Sequence, residues 1–189
     1  MPRPTRRLLA GLLVALPCLL ASHTAGAGPD ALPESIESPR IVVRKARREL
    51  LLLSGERVVK TYRIGLGTNP VPPKERQGDR APPEGRYVVC MKNPRSAFTL
   101  SLGLDYPNAA DADRGLAAGL VTRAQHRRIV EAVRQGRCPP WGTPLGGEIF
   151  IHGSGSSTDW TWGCVALDDA DVRELYPRIP VGTPVVIEP

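Results

Sequence analysis

Ile149-Phe150-Ile151-His152-Gly153-Ser154-Gly155, followed after five residues by Thr161-Trp162-Gly163-Cys164-Val165-Ala166-Leu167, is the stretch on which the reading of this chain turns. Its first three residues are a short run of β-branched and aromatic side chains, which predicts a strand running straight into His152. Gly153-Ser154-Gly155 then reads as a loop that leaves space beside the imidazole. Twelve residues after His152 stands Cys164, preceded by Gly163. A helix over Asp169–Tyr176, capped by Asp168, is expected next.

Moving outward, β signals dominate. Ile41-Val42-Val43 is β-branched, and Leu50 to Leu53 is an apolar run that ends at the turn pair Ser54-Gly55. Arg57 to Ile64 alternates loosely, so a strand–turn–strand hairpin is expected here. Gly65 to Gly85 is dense in Gly, Pro and charge and reads as a long surface loop. Strands follow at Arg86–Met91 and Phe98–Leu104, and a last one at Val185–Ile187 after the turn Gly182-Thr183-Pro184. One clear helical segment interrupts them, from an N-cap at Thr122 through Gln135 to the stop signal Gly136. The sum is a single, mostly β domain with one or two attached helices.

The N-terminus reads as an export signal. Arg3, Arg6 and Arg7 precede the uncharged apolar run Leu8–Ala21, and Ala25-Gly26-Ala27 supplies small residues for cleavage. The apolar run is short of the roughly 18–20 residues that span a bilayer, so no membrane span is expected after processing. Residues 28–39, rich in Pro, Ala, Ser and Glu, read as a flexible lead-in. The formal charge of +6 falls to +3 once three arginines leave with residues 1–27. That suits work near an anionic polymer and argues against a nucleic-acid partner, because no basic stripe with interleaved aromatics is present. A monomer of the periplasm or cell envelope is the expectation.

Cys90, Cys138 and Cys164 remain after processing, an odd number in an oxidising compartment. One arrangement pairs Cys90 with Cys138 and leaves Cys164 free; three unpaired buried thiols is the other. Only His126 and His152 are available as a base, and His126 lies among Arg127 and Arg128 in the charged helix. An imidazole beside a thiol can take its proton, and the thiolate is the nucleophile. Amides around Gly163 and Cys164 could donate to an oxyanion formed on attack. On spacing alone, a purely structural His and Cys fit as well. A zinc site lacks any Cys-x-x-Cys or His-x-x-x-His spacing. A papain-like order is excluded, because no His follows Cys164. No phosphate loop, dinucleotide fingerprint or calcium loop is present, so neither a cofactor nor a metal is expected.

His152-Gly153 together with Thr161-Trp162-Gly163-Cys164 resembles the signature of the YkuD-type L,D-transpeptidase family. Gly78-Asp79, Pro83-Glu84-Gly85, Lys92-Asn93, Tyr106-Pro107-Asn108, Gly146-Gly147-Glu148-Ile149 and Gly182-Thr183-Pro184-Val185 extend the likeness over about residues 40–188. The resemblance implies a YkuD-like β-sandwich catalytic domain that acts on peptidoglycan stem peptides through a Cys164 thioester. It implies His152 as base, the Gly153 carbonyl orienting its ring, and an oxyanion hole from amides near Trp162 and Gly163. Tyr106, Asn108, Trp160 and Thr161 are candidate substrate contacts, with turn formation the competing role for Asn108 and core packing for Trp160. Two departures stand out: Trp162 occupies the place of the family's second His, and Ala166 that of a frequent Arg. The first resembles a subgroup whose relatives include hydrolases of L,D-bonds, so transfer, hydrolysis and wall binding without chemistry all remain open.

Overall fold

A computed structural model describes Met1 and residues 32–189. The export signal read at residues 1–27 lies outside these apart from Met1. Residues 32–38 differ from the expected flexible lead-in: Leu32 and Ile36 are buried in the main core, and Arg178 donates to the carbonyl of Pro33 at 2.7 Å. Two apolar side chains four residues apart are enough to dock a segment whose remaining composition is loop-like.

β1 (Pro39–Arg44), β2 (Glu49–Ser54) and β3 (Arg57–Arg63) form an antiparallel meander. β4 (Gly85–Asn93), β5 (Ser101–Leu104) and β6 (Phe150–His152) form another, and β7 (Val165–Ala166) adds parallel to β6. The C-terminal β8 (Pro184–Glu188) joins the halves, parallel to β1 and antiparallel to β4. The result is one eight-stranded sheet in the order β3-β2-β1-β8-β4-β5-β6-β7. It curls until its edges meet, where Gly65, just past β3, exchanges both backbone hydrogen bonds with Ala166 of β7 at 2.9 and 2.8 Å.

Alternation decides which face turns inward. Ile41 and Val43 of β1, and Val185 and Ile187 of β8, are buried while their neighbours are not. These side chains meet Leu102, Leu104, Ile151, Val165 and Leu167 from the other half. Val172 and Leu175 of α3 (Asp169–Leu175) close the core, and burying one such Leu contributes about 2–3 kcal/mol.

α1 (Ala109–Ala117) and α2 (Arg123–Arg134) form a hairpin between β5 and β6 with a satellite core of Ala112, Val121, Ile129 and Leu145. α2 starts with a capping box between Thr122 and Gln125. With α1 and α3 there are three α-helices among the described residues rather than one or two. α1 has a single large apolar side chain, Leu116, and its start is fixed by the Asn108–Asp111 capping box. A disulfide joins Cys90 to Cys138 and so pins the exit of α2 to β4, beside the bulge between Val89 and Met91.

Two more differences have local causes. β5 starts at Ser101, not Phe98, because Thr99 sits at φ 71° and the Phe98 carbonyl accepts from Leu100 and Gly153 instead of a ladder partner. The 65–85 segment is partly buried rather than a surface loop. Lys45, 2 % exposed, donates to Glu84 at 2.6 Å and to the Val71 and Pro72 carbonyls. Lys74 likewise donates to Asp79 at 2.8 Å, and Asp79 in turn accepts from the amides of Glu75, Arg76 and Ala81. Asp79 is held below the usual carboxylate range: burial pushes it up, but the Arg76 amide, Lys74 and the other donors outweigh that.

Candidate active site

His152 ends β6 paired with Ser101 on one side and Ala166 on the other. It is buried, and its Nδ1 lies 2.7 Å from the Gly153 carbonyl oxygen. A carbonyl only accepts, so Nδ1 carries the proton and the Nε2 lone pair is left for chemistry. Phe98 stands against the ring at a centroid distance of 4.6 Å, and Trp160 meets it edge-on at 5.5 Å. Burial lowers the imidazole's affinity for a second proton, with the Gly153 carbonyl opposing. His152 therefore rests neutral at neutral pH.

Ile151 pairs with Val165 in parallel register, and extending that register by one residue sets Cys164 opposite Phe150. The Phe150 amide donates to Cys164 Sγ at 3.4 Å, and the thiol donates to the Glu148 carbonyl at 3.4 Å. The nucleophile candidate thus sits two residues along β6 from His152. Burial pushes the thiol up to about 11, against the Phe150 amide and the positive charge of Lys74. Burial thus holds both the thiol and the imidazole toward their neutral forms.

Backbone closeness holds the Cys164 loop in place. Gly163 adopts φ +126°, a conformation that L side chains rarely take, and a Cβ there would come 2.7 Å from the Ala81 carbonyl oxygen. Thr161 Oγ1 donates to the Cys164 carbonyl at 2.8 Å and accepts from the Gly163 amide at 3.2 Å. Gly67 bridges Thr161, and the space for its Cβ is filled by the Arg80 carbonyl oxygen at 2.0 Å. Asp159 accepts from Arg48 Nη2 at 2.6 Å and from the Leu66 amide at 2.9 Å. Its carboxyl stays low: burial pushes up, but the Arg48 and Leu66 donors prevail. Asp169 Oδ1 accepts from Thr99 Oγ1 at 2.7 Å and from the Ser154 amide at 2.8 Å, bracing the loop after His152. Asp168 does not cap α3 with its side chain; its carboxylate goes to the Ser156 amide and hydroxyl.

The other candidate residues divide. Trp160 lines the imidazole and donates Nε1–H to the Gly155 carbonyl at 3.0 Å. Trp162 is 69 % exposed, with the Arg80 guanidinium 4.7 Å above its ring. Thr161, as placed, is a brace inside the loop rather than a surface for substrate. Tyr106 is buried, its hydroxyl donating to the Leu145 carbonyl at 3.0 Å. Asn108 is spent as the α1 cap, its Nδ2 donating to the Arg86 carbonyl at 2.8 Å. Neither presents a free polar group to a groove. The roles of Phe98, Gly67, Ala81 and Asp169 escaped the sequence reading; of these only Asp169, five residues after the cysteine, has a charge that could have drawn notice.

The YkuD L,D-transpeptidase catalytic domain family matches this chain over residues 38–187. The chain belongs to that family. Its YkuD fold is shared with the helical cell shape determining protein Pgp2 from Campylobacter jejuni, at 20 % identity and TM-score 0.54 over 81 % of this chain and 48 % of that one. An L,D-transpeptidase from Xylanimonas cellulosilytica is similar at 17 % identity and TM-score 0.49, over 82 % of this chain and 62 % of that one. This YkuD chain therefore spans between about half and two thirds of the length of those solved structures. No curated protein sequence matches it. Among the described residues no helix is long and apolar enough to cross a membrane.

Proposed function

We propose that this YkuD domain is an exported cysteine acyl-transferase that acts on peptidoglycan stem peptides. The observation that carries the reading is geometric: His152 has Nδ1–H committed to Gly153, and Cys164 Sγ is held by the Phe150 amide two residues back on the same strand. Nε2 takes the Sγ proton as sulfur attacks the carbonyl of the third stem residue, a diamino acid. The oxyanion is met by backbone amides of the 162–164 turn. The Gly163 N–H is engaged by Thr161 Oγ1 at rest, so the Trp162 and Cys164 N–H groups are the better candidates. Collapse expels the terminal D-alanine, whose amine receives the proton from Nε2. An amine of a second stem peptide then attacks the thioester, forming an L,D-cross-link and restoring the thiol. Family membership and the likeness to a named cell-shape determinant support a role in the cell wall.

Incubating the purified protein with tetrapeptide and cross-linked muropeptides, beside Cys164→Ala, tests this by mass spectrometry. Dimers that depend on Cys164 establish transfer. Shortened monomers alone make it an L,D-hydrolase of the same mechanism, with water as acceptor. A folded protein that yields no product is a wall-binding module.

A further inference from the structure

Backbone atoms of one short segment hold the sulfur of Cys164: the Phe150 amide and the Glu148 carbonyl, each at 3.4 Å. The two groups pull its protonation in opposite directions. A carbonyl accepts only from S–H and so favours the thiol, whereas an amide N–H donates to sulfur in either state. Phe150 is secured by its pairing with Gly103 in the sheet. Glu148 lies ahead of β6 and is a non-glycine residue at φ 55°. Such a conformation lasts only where the surroundings impose it.

The surroundings that impose it centre on Trp141. Its ring meets Phe150 edge-on, with centroids 5.8 Å apart. A Cβ on Gly147 would come 2.5 Å from Trp141 Cβ and Cγ, so the indole rests directly on the Gly147 backbone. Trp141 therefore grips the segment on both sides of Glu148, one residue before it and two after. Its own position is anchored from the helical hairpin. Cys138, three residues earlier, is bonded to Cys90 of β4, and the stiff pair Pro139-Pro140 lies between. The Thr143 amide adds a hydrogen bond to the Trp141 carbonyl at 2.9 Å. Unlike Trp160, whose Nε1–H reaches the Gly155 carbonyl, Trp141 has a buried Nε1–H without a partner among the described residues. Packing alone holds this ring, so another ring should serve in its place.

We propose that Trp141 is the positioning residue of the nucleophile: through Gly147 and Phe150 it keeps the Glu148 carbonyl and the Phe150 amide on Cys164 Sγ. The proposal deepens the acyl-transfer reading and rests on it for the identity of the nucleophile.

The test compares the purified protein with Trp141→Leu, which keeps apolar bulk, and Trp141→Phe, which keeps a ring edge for Phe150. Gly147→Ala reaches the same contact independently, by driving a methyl group into Trp141. The charged groups that bear on the sulfur, Lys74 and Glu148, are kept in every variant, as is His152. Each variant is first checked for cooperative melting. On a tetrapeptide muropeptide, kcat should fall about tenfold in Trp141→Leu and in Gly147→Ala with KM nearly unchanged. That is part of the roughly 100-fold that a 1 Å displacement at a reacting group costs. Trp141→Phe should stay within twofold of the parent. Alkylation of Cys164 by iodoacetamide at pH 8 needs no substrate, and it should run about threefold faster in the two impaired variants. The gain is the size of one weak hydrogen bond, the one from S–H to the Glu148 carbonyl. An unchanged or slower alkylation rate, or equal losses of kcat in Trp141→Leu and Trp141→Phe, makes Trp141 mere filling and overturns the proposal. A loss confined to KM overturns it as well, because the ring would then be touching substrate. Faster alkylation in the variants of a protein that turns over no muropeptide keeps the positioning role and removes the acyl-transfer reading.

Discussion

Replacing Gly67 by Ala asks whether backbone closeness, rather than the reactive side chains alone, makes the site. The added Cβ would lie 2.0 Å from the Arg80 carbonyl oxygen and 3.0 Å from the Gly163 amide nitrogen. The tighter contact has to open to at least 3.0 Å, so two backbone segments must part by about 1 Å. Neither is a flexible side chain: one leads into Ala81, which backs Gly163, and the other is bridged to Thr161. Overpacking of this kind costs about 1–3 kcal/mol of stability. A displacement of about 1 Å at a reacting group costs about 100-fold in rate. The assay is kcat/KM on a tetrapeptide muropeptide beside thermal melting, with Gly55→Ala as control. Gly55 has φ +57° and open space around its Cβ position, so Ala there is strained by about 1 kcal/mol without touching the site. Gly67→Ala should lose about 100-fold in activity and Gly55→Ala less than twofold. Activity of Gly67→Ala within threefold of the parent, or an equal loss in both variants, refutes the reasoning.

Alkylation of Cys164 by iodoacetamide should keep accelerating beyond pH 9, since burial holds the thiol up to about 11; a rate plateau reached below pH 8 would reveal a resting thiolate–imidazolium pair and contradict the neutral site. Phe98→Ala uncovers one face of His152, so the imidazole should gain proton affinity and the acidic limb of kcat/KM should move to higher pH; an unmoved limb shows that Phe98 does not tune the base. Asp159→Asn should destabilise the fold by about 1–2 kcal/mol at pH 7, a buried ion-pair loss reduced for partial exposure. Because the folded carboxyl lies below its ordinary 3.8, that contribution is present above pH 3.8 and fades as pH falls through the depressed value. Urea unfolding at pH 7 and pH 2.5 should show the gap closing; equal stability at pH 7 sinks it.

The mostly β architecture was legible because its core strands advertise themselves: Ile41-Val42-Val43 and Leu50 to Leu53 fit a strand whichever face is buried. α2 was legible through Thr122 and Gly136, local signals that act within one turn of helix. α1 was not, since its identity rests on Asn108 capping a polar, alanine-rich segment whose buried contacts come from Leu145 and α2. Asn108 takes up the turn role that competed with substrate contact in its sequence, and Tyr106 packs in the core; both residue types suit recognition as readily as capping and packing. His152 and Cys164 announce themselves by chemistry. Gly65, Gly67 and Ala81 act through backbone atoms alone, and a backbone atom leaves no chemical mark in a sequence.

The seam at Gly65 and Ala166 ties the candidate site to the melting of the sheet. β1 and β2 are zipped over six residue pairs, whereas the seam exchanges two hydrogen bonds, and Ala166 lies two residues from Cys164. Ile64, Leu66, Val165 and Leu167 on either side of that seam are buried in the main core, so opening it exposes apolar surface and belongs with global unfolding rather than with low-energy local openings. Warming therefore carries the two together: Cys164 and His152 lose their register only as the sheet interior itself gives way.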